Sequence, residues 1–377
     1  MLLGASNSWF PKTLSSLALP VKSGENTAEI VDEHWAILMG VGSRDQIDIY
    51  MKANPTLNTA LGPLNLDHVW ETIESRKDSV TLIDAIDLLK PEWDLLSNPG
   101  SAPQSNEFRI RDEGSIGAYT KELTRVVSVD RLRQVIALVG FTRIADSDSG
   151  VADDVASSMI APLDSKNQPT WVPASEVRGE GIFIQLNEVA VAEWEAAAEN
   201  TSRINSLKNS HENWRKQRGI TPADADWPGA RYVLVHSLSH ALINQVALDS
   251  GYAAASIRER IYVRTSDDPS QAMCGVLLYT AAPDSEGTLG GLVSLAKTAA
   301  FDRIITNTIE RMQLCSAHPF CAEHEASSEE SVLHSAACHA CLFIPETSCE
   351  RGNRYLDRAV LCDTMAILDI NPFFRES

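Results

Sequence analysis

The cysteines of this 377-residue chain are concentrated near its C-terminal end, which constrains the fold more than any other feature. Five of the seven cysteines fall between Cys315 and Cys349, in a stretch that also contains four histidines. Cys338 and Cys341 form a CxxC, a spacing that lets two thiolates bind one metal ion from a single tight turn. Sulfur ligands in tetrahedral number favour Zn²⁺ over Mg²⁺ or Ca²⁺.

A tetrahedral zinc ion needs two thiolates besides the CxxC pair. Cys349 is the downstream candidate, and either Cys315 or Cys321 is the upstream candidate. The segment has thiolates to spare and no obvious open coordination position. We therefore expect a structural zinc ion, which holds together a loop too polar to be fixed by burial.

Two other uses of clustered cysteines fit this chain less well. Disulfides need an oxidising compartment, and the opening residues LLGASNSWFPK lack the basic start and long apolar run of a signal peptide. A thioredoxin-like redox pair would lie between a strand and a helix, and it would leave three nearby cysteines unexplained.

Composition indicates a globular protein with an acidic surface. Hydrophobic residues make up 44% and charged residues 22%, and the length suggests two or three domains. The net charge is −19, whereas nucleic-acid binders usually carry a basic surface. We expect any DNA contact to be supplied largely by a partner. Because no stretch approaches 18 consecutive apolar residues, we expect a cytoplasmic protein without a membrane segment.

Hydrophobic periodicity predicts a helix-rich α/β fold, with a short mixed sheet, packed helices and a C-terminal zinc-binding module. Residues 1–100 are predicted to be mostly helical, with helices at about 26–53 and 66–77. Residues 101–225 are predicted to form an α/β middle region with a long amphipathic helix. Residues 226–377 would then form the zinc-binding domain.

Several elements of the last two regions are predicted individually. Residues 123–129 have strand character, and Asp130 is placed to cap a helix that ends at Leu138. An apolar stripe from Val191 to Trp214 predicts one long amphipathic helix. Residues 227–252 are apolar almost all round, which predicts a buried helix.

His236 and His240 lie on one face of this predicted buried helix. Their separation of four residues lets two imidazoles reach one metal ion. A metalloprotease helix would carry a glutamate where this chain has Ser237, which disfavours a zinc protease. We expect both histidines to be buried and hydrogen-bonded, so that they fix the helix against residues 284–290.

A glycine-rich segment, PDSEGTLGG, follows a predicted strand and leads into a helix. It lacks the lysine and the spacing of a P-loop, and Asp284 and Glu286 would repel a phosphate. The alternative to a structural role is a second metal centre, in which Asp284 and Glu286 join His236 and His240. Such a centre would make the chain a cryptic metal-dependent hydrolase or nuclease.

Arg351, Arg354 and Arg358 follow the last cysteine of the cluster near helical spacing. They are the best local candidates for a phosphate or partner contact in an acidic chain. The competing interpretation is a salt-bridged solvent face. No GxSxG or paired HxK signature is present, so nothing in the sequence marks an enzyme.

Five segments together resemble the DrmB family of DISARM anti-phage proteins, which carry an MrfA-like zinc-binding, helicase-associated domain. These segments are WVPASEVRGEGIFIQL, RYVLVHSLSHALI, GYAAASIRERIY, GVLLYTAAPDSEGTLGGL and HSAACHACLFIPETSCERGNRYLDRAVL. The opening GASNSWFP is similar to an internal motif of the family. Family chains are considerably longer, so this chain resembles a short, split or truncated member.

The resemblance implies a non-catalytic zinc-binding subunit that pairs with a DrmA-type superfamily-2 helicase. ATP hydrolysis and most DNA contact would belong to that helicase, and no small-molecule substrate is expected. Cys338, Cys341 and Cys349 match the family's zinc motif. For the fourth ligand we favour Cys321, which is nearer to the CxxC pair, with Cys315 as the alternative.

Overall fold

A computed structural model shows two compact units, Met1–Ala18 with Glu92–Ser377, and Leu19–Pro91. The residues described are 9–20, 27–78, 87–114, 117–143, 160–163, 171–266, 268, 270–280, 290–317, 320–327 and 332–375. Among them, no helix is both long enough and apolar enough to cross a membrane.

The smaller unit is helical, as its sequence predicts. Its helices are α1 (Thr27–Glu33), α2 (Trp35–Leu38), α3 (Arg44–Ala53), α4 (Pro55–Leu61) and α5 (Leu66–Asp78). Asn54 begins α4, because its side chain accepts hydrogen bonds from the backbone N–H groups of the first turn. Fully buried aliphatic side chains form the core of this unit, among them Leu38, Ile47 and Leu61.

The larger unit is built on a sheet of seven strands. These are β1 (Trp9–Leu17), β2 (Arg109–Gly114), β3 (Leu123–Arg143), β4 (Ala161–Pro162), β5 (Ala174–Leu186), β6 (Ile257–Arg264) and β7 (Met273–Thr280). The order is β1-β3-β5-β7-β6, and β2 and β4 also pair with β3. The helix-rich α/β class is thus confirmed, while the described pairings are antiparallel, in contrast to the mixed sheet predicted.

Strand β3 overturns the prediction of a helix at residues 130–138. It continues through this stretch because its backbone has ladder partners on both sides, β2 and β1 on one and β5 on the other. The β-branched Val135 and Ile136 suit a pleated surface. The ladder with β5 shifts register between Val129 and Leu132, so Asp130, which was predicted to cap a helix, lies at a bulge.

Helices cover the sheet of the larger unit. They are α6 (Leu89–Ser97), α7 (Glu188–Ala198), α8 (Ser202–Gln217), α9 (Gly229–Ser250), α10 (Gly291–Leu295), α11 (Thr298–Gln313) and α12 (Phe320–Glu323). The apolar stripe predicted as one helix is divided between α7 and α8. Thr201 starts the second helix, because its side chain accepts a hydrogen bond from the Ile204 N–H.

Helix α9 is the buried helix that the sequence predicts. It packs on β6, β7 and α11, and its residues from Ala230 to Ile243 are all buried. Because a helix enclosed on all sides cannot leave polar groups unpaired cheaply, its two histidines must find partners on neighbouring elements.

Strand β6 presents different chemistry on its two faces. Ile257, Glu259 and Ile261 alternate along one face, and the Ser239 hydroxyl of α9 donates to Glu259 Oε2 at 2.5 Å. On the other face, the Arg260 guanidinium donates to Glu92 of α6 at 2.5 and 2.9 Å. The carboxylate buried beside α9 is therefore that of Glu259.

Candidate metal centre

Four cysteine sulfurs meet in the C-terminal part of the chain. Cys315, Cys321, Cys338 and Cys341 have Sγ atoms that all lie within 4.8 Å of one another. The separations are 3.5 Å for 315–338, 3.6 Å for 338–341 and 3.7 Å for 321–341. A disulfide would need about 2.0 Å. Thiolates bound tetrahedrally at about 2.3 Å from one zinc ion lie about 3.8 Å apart, so this four-cysteine cluster has the dimensions of a zinc site.

Local backbone geometry places these sulfurs. The N–H groups of Cys341, Leu342 and Phe343 all donate to the Cys338 carbonyl, at 3.0 to 3.1 Å, which makes the CxxC a tight turn. Cys315 follows the end of α11, and Cys321 lies in the single turn of α12. The cluster thus joins a helix end, a helical turn and a CxxC turn that have few regular hydrogen bonds of their own.

One thiol of the cluster, Cys321, loses its proton more easily than a free thiol. Hydrogen bonding from Cys341 lowers the pKa of Cys321 to about 5, although burial alone would raise it. The Arg358 guanidinium also lowers this pKa. Hydrogen bonding with Cys321 raises the pKa of Cys341, as expected when neighbouring sulfurs share protons. Four thiolates around Zn²⁺ carry a net negative charge, which the Arg358 guanidinium would partly offset.

Arg358 is fully buried, at 0% exposure. Its Nη1 donates to the carbonyls of Met312 and Gln313 at the end of α11, at 2.5 and 3.1 Å. The Arg358 guanidinium therefore holds the end of α11, which precedes Cys315, and it also lowers the pKa of Cys321. A phosphate or partner contact, proposed for Arg358 from the sequence, does not fit a buried side chain.

The other two arginines of this row lie on aromatic rings. Arg351 lies over Tyr232 and Tyr355, with its guanidinium carbon 5.1 and 5.8 Å from the ring centroids. Arg354 is buried, with its guanidinium carbon 5.0 Å from the Trp214 ring. The three arginines thus have contacts within the chain and do not form the continuous exposed row that their spacing suggested.

Cys349, predicted as a ligand with the CxxC pair, belongs to a different group of side chains. Its Sγ lies 3.2 Å from His236 Nε2. The flanking backbone holds it there, because the Glu259 N–H donates to the Ser348 carbonyl and the Glu350 N–H donates to Glu259 Oε1. Attachment to β6 carries Cys349 away from the CxxC turn. Both upstream cysteines, which were alternatives in the sequence, join the four-cysteine cluster instead.

The second group consists of His236, His240, Glu259 and Cys349, whose ligand-type atoms also lie within 4.8 Å of one another. His236 Nε2 is 3.1 Å and His240 Nε2 is 3.4 Å from Glu259 Oε1. The histidines are fully buried, and the other two side chains are nearly so. As predicted for this helix, both histidines are buried, although Glu259 and Cys349 are the side chains they meet.

Burial sets the ionisation of this group. It lowers the pKa of His236 to about 4, which keeps the imidazole neutral. Burial alone would raise the pKa of Glu259, but His236 and His240 hold it well below its ordinary value. A neutral imidazole and an ionised carboxylate are the forms that bind metal ions.

Glu259 was absent from the predicted site, although the sequence carries a signal for it. Ile257, Glu259 and Ile261 share one face of a strand, so an inward-facing carboxylate needs a buried partner. Asp284 and Glu286, predicted to complete a second metal centre with the histidines, lie outside the described residues.

Comparison with known families agrees with the four-cysteine cluster. The MrfA Zn-binding domain matches residues 238–342. This range contains all four cysteines of the four-cysteine cluster and ends before Cys349. The match begins within α9, at residue 238, and includes β6, β7 and the CxxC pair. A zinc-binding domain and the four converging sulfurs therefore coincide.

Comparison with whole proteins extends the likeness to almost the full chain. The DISARM protein DrmB of Bacillus paralicheniformis is 30% identical over 382 residues, which covers 99% of this chain and 65% of that protein. Among solved structures, the helicase MrfA bound to DNA is similar at a TM-score of 0.29 and 9% identity, over 63% of this chain and 22% of that one. A TM-score this low does not establish a shared fold.

Proposed function

The chain belongs to the DrmB family, and from this premise we propose that it is a zinc-binding accessory subunit of a DISARM-like anti-phage defence system. The observation that carries the proposal is the convergence of four cysteine sulfurs inside the matched zinc-binding domain. The chain spans 65% of the length of its DrmB relative, so the activities of the longer protein are not transferred as a whole.

The chemistry of the cluster supports an accessory role. Four thiolates complete a tetrahedral zinc site and leave no position for a water or substrate, as in structural rather than catalytic zinc centres. In the proposal, zinc shapes the segment between Cys315 and Leu342 into a rigid surface. This segment would dock on another protein, and residues 226–377 would be the domain that presents it.

We further propose that the docking partner is a DrmA-type superfamily-2 helicase. A net charge of −19 favours an arrangement in which the helicase supplies most of the DNA contact. Residues 1–100 and 101–225 would be the helical and α/β regions that precede the zinc-binding domain, as proposed from the sequence.

Co-purification tests this function. We expect the chain to co-elute with a DrmA-type helicase in size-exclusion chromatography and to change its DNA unwinding or ATP hydrolysis. Cys341→Ser should leave little soluble chain to co-elute, whereas Cys274→Ser, at a buried cysteine of β7 outside both groups, should stay soluble and co-elute. Failure of the wild-type chain to co-elute, or helicase activity that is unchanged in its presence, would contradict the proposal.

A metal-dependent hydrolase is the second candidate, because His236 and His240 meet two further ligand-type side chains. The complete burial of both histidines disfavours it, since a substrate must reach a catalytic metal. Nuclease assays on single- and double-stranded DNA with added Zn²⁺, Mn²⁺ or Mg²⁺ separate the two. Cleavage that is lost in His236→Ala would support the hydrolase.

A further inference from the structure

We propose that His236, His240, Glu259 and Cys349 bind a second zinc ion, distinct from that of the four-cysteine cluster. Two ligands come from α9, one from β6 and one from the turn after the CxxC segment. The metal would hold α9 against β6. Neither the matched zinc-binding range, which ends before Cys349, nor the cysteine spacing identifies this site.

Interatomic distances fit a shared metal. In a tetrahedral zinc site, nitrogen and oxygen ligands lie about 3.3 Å apart and nitrogen and sulfur ligands about 3.6 Å apart. Here Glu259 Oε1 is 3.1 and 3.4 Å from the two histidine Nε2 atoms. His236 Nε2 is 3.2 Å from Cys349 Sγ. These separations are close to the edges of a single coordination tetrahedron.

The tautomer of His240 supports the same conclusion. Its Nδ1 lies 2.9 Å from the Leu342 carbonyl, which can only accept, so Nδ1 carries the proton. In a neutral imidazole, Nε2 then presents a lone pair, and this buried atom faces Glu259 Oε1 without forming a hydrogen bond. A cation between Nε2 and Oε1, either a proton on the imidazole or a metal ion, would satisfy both atoms. A histidine that donates its other N–H to a carbonyl is also the usual arrangement in metal sites.

Two backbone donors point at the sulfur of Cys349. The backbone N–H groups of Arg351 and Asn353 both donate to its Sγ, at 3.3 and 3.2 Å. Donors of this kind stabilise the anionic form of the sulfur, which is the form that binds metals. Glu259 is also fixed, because Oε2 accepts from Ser239 and Oε1 accepts from the Glu350 N–H.

The ligand set favours zinc and a closed site. Two imidazoles, one carboxylate and one thiolate combine borderline and soft donors, which suits Zn²⁺ better than Mg²⁺ or Ca²⁺. Four protein ligands complete a tetrahedron. This site also supports the four-cysteine cluster, since His240 contacts the Leu342 carbonyl and Asn244 Nδ2 donates to the Cys341 carbonyl at 2.9 Å.

Metal content of the intact chain tests the proposal. Inductively coupled plasma mass spectrometry should find two zinc ions per chain. His236→Asn and Glu259→Gln should each reduce this to one. A matched control is His211→Asn, because His211 is equally buried but contacts Tyr355 and the Ala225 carbonyl, and it should keep two. One zinc per wild-type chain, unchanged in His236→Asn and Glu259→Gln, would overturn the proposal.

X-ray absorption at the zinc edge tests it on the wild-type chain alone, so the result does not depend on a variant that folds. Two occupied sites predict five sulfur and three nitrogen or oxygen ligands shared between two ions. Zinc–sulfur distances should be about 2.3 Å and zinc–nitrogen distances about 2.0–2.1 Å. A spectrum with sulfur ligands alone would refute the second site.

Discussion

The four-cysteine cluster and the His/Glu/Cys group differ in what holds their ligands in place. The cysteines lie on a helix end, a single helical turn and a CxxC turn. Three members of the second group lie on the longest described helix and a strand, and Cys349 lies in a turn that is hydrogen-bonded to that strand. We therefore propose that zinc organises the chain in the first case, whereas the fold already places the ligands in the second.

This difference has an energetic consequence. A structural zinc ion in a small thiolate site contributes about 10–16 kcal/mol to the folded state. That is as large as the whole net stability of most domains, about 5–15 kcal/mol, so the cysteine segment should not keep its structure without metal. At the second group, we expect the packing of α9 on β6 and β7 to persist without metal, so that the loss of stability is smaller.

The largest expected effect is that of Cys341→Ser, which removes one of the four converging thiolates. We expect the segment from Cys315 to Leu342 to unfold and the protein to become largely insoluble, because most of the stabilisation from zinc is lost. Soluble yield and circular dichroism measure the outcome. Cys362→Ala is the matched control, since Cys362 is buried outside both groups. A Cys341→Ser chain that folds normally would contradict the structural role of the zinc.

An intermediate effect is expected for Arg203→Met. Arg203 of α8 and Asp357 form a buried ion pair, with N–O distances of 2.6 and 3.0 Å. Asp357 directly precedes Arg358, so the pair fixes the arginine that faces the four-cysteine cluster. Because the substitution leaves a buried carboxylate unpaired, we expect a loss of about 3–5 kcal/mol in the free energy of unfolding.

Urea unfolding measures this loss, with Lys208→Met at a half-buried position of α8 as the control. Lys208 makes no ion pair among the described residues. A loss below about 1 kcal/mol, typical of an exposed ion pair, would show that the frame around the cysteines does not depend on Arg203.

A moderate effect is expected for His240→Asn. The substitution should remove one zinc ion and the hydrogen bond to the Leu342 carbonyl, while α9 stays packed. We expect a loss of about 1–3 kcal/mol, the usual cost of leaving buried polar groups unsatisfied. Thermal unfolding measures it. If His240→Asn were as damaging as Cys341→Ser, the contrast between the two groups would be lost.

The smallest effect is expected for Arg351→Ala. It removes the guanidinium from the rings of Tyr232 and Tyr355, a contact worth about 0.5–2 kcal/mol. Arg351→Lys should recover part of this stability. If instead Arg351→Ala weakens binding to the helicase without changing stability, Arg351 is a partner contact, as first proposed from the sequence.

Sequence patterns predicted the features that local chemistry determines. The CxxC turn needs only its own residues, and α9 is recognisable because it is apolar on every side. The assignment of Cys349 depended on the backbone that attaches it to β6, more than 80 positions earlier in the chain. Spacing along the sequence does not contain that information.

The same reason explains the error at β3. The apolar positions of residues 130–138 are compatible with the period of a helix or with that of a strand. Pairing with β1, β2 and β5 is what makes this stretch a strand. Glu259 was missed for a related reason, because no local pattern shows which side chains a carboxylate at this position would meet.

Hydrogen exchange with and without metal tests the central claim most directly. The zinc of the wild-type chain would be removed by a chelator under native conditions, and protection would be compared peptide by peptide. We predict that amide protection is lost between Cys315 and Leu342, while α9, β5 and β7 remain protected. Unchanged protection of the cysteine segment in metal-free protein would contradict the claim that zinc organises it.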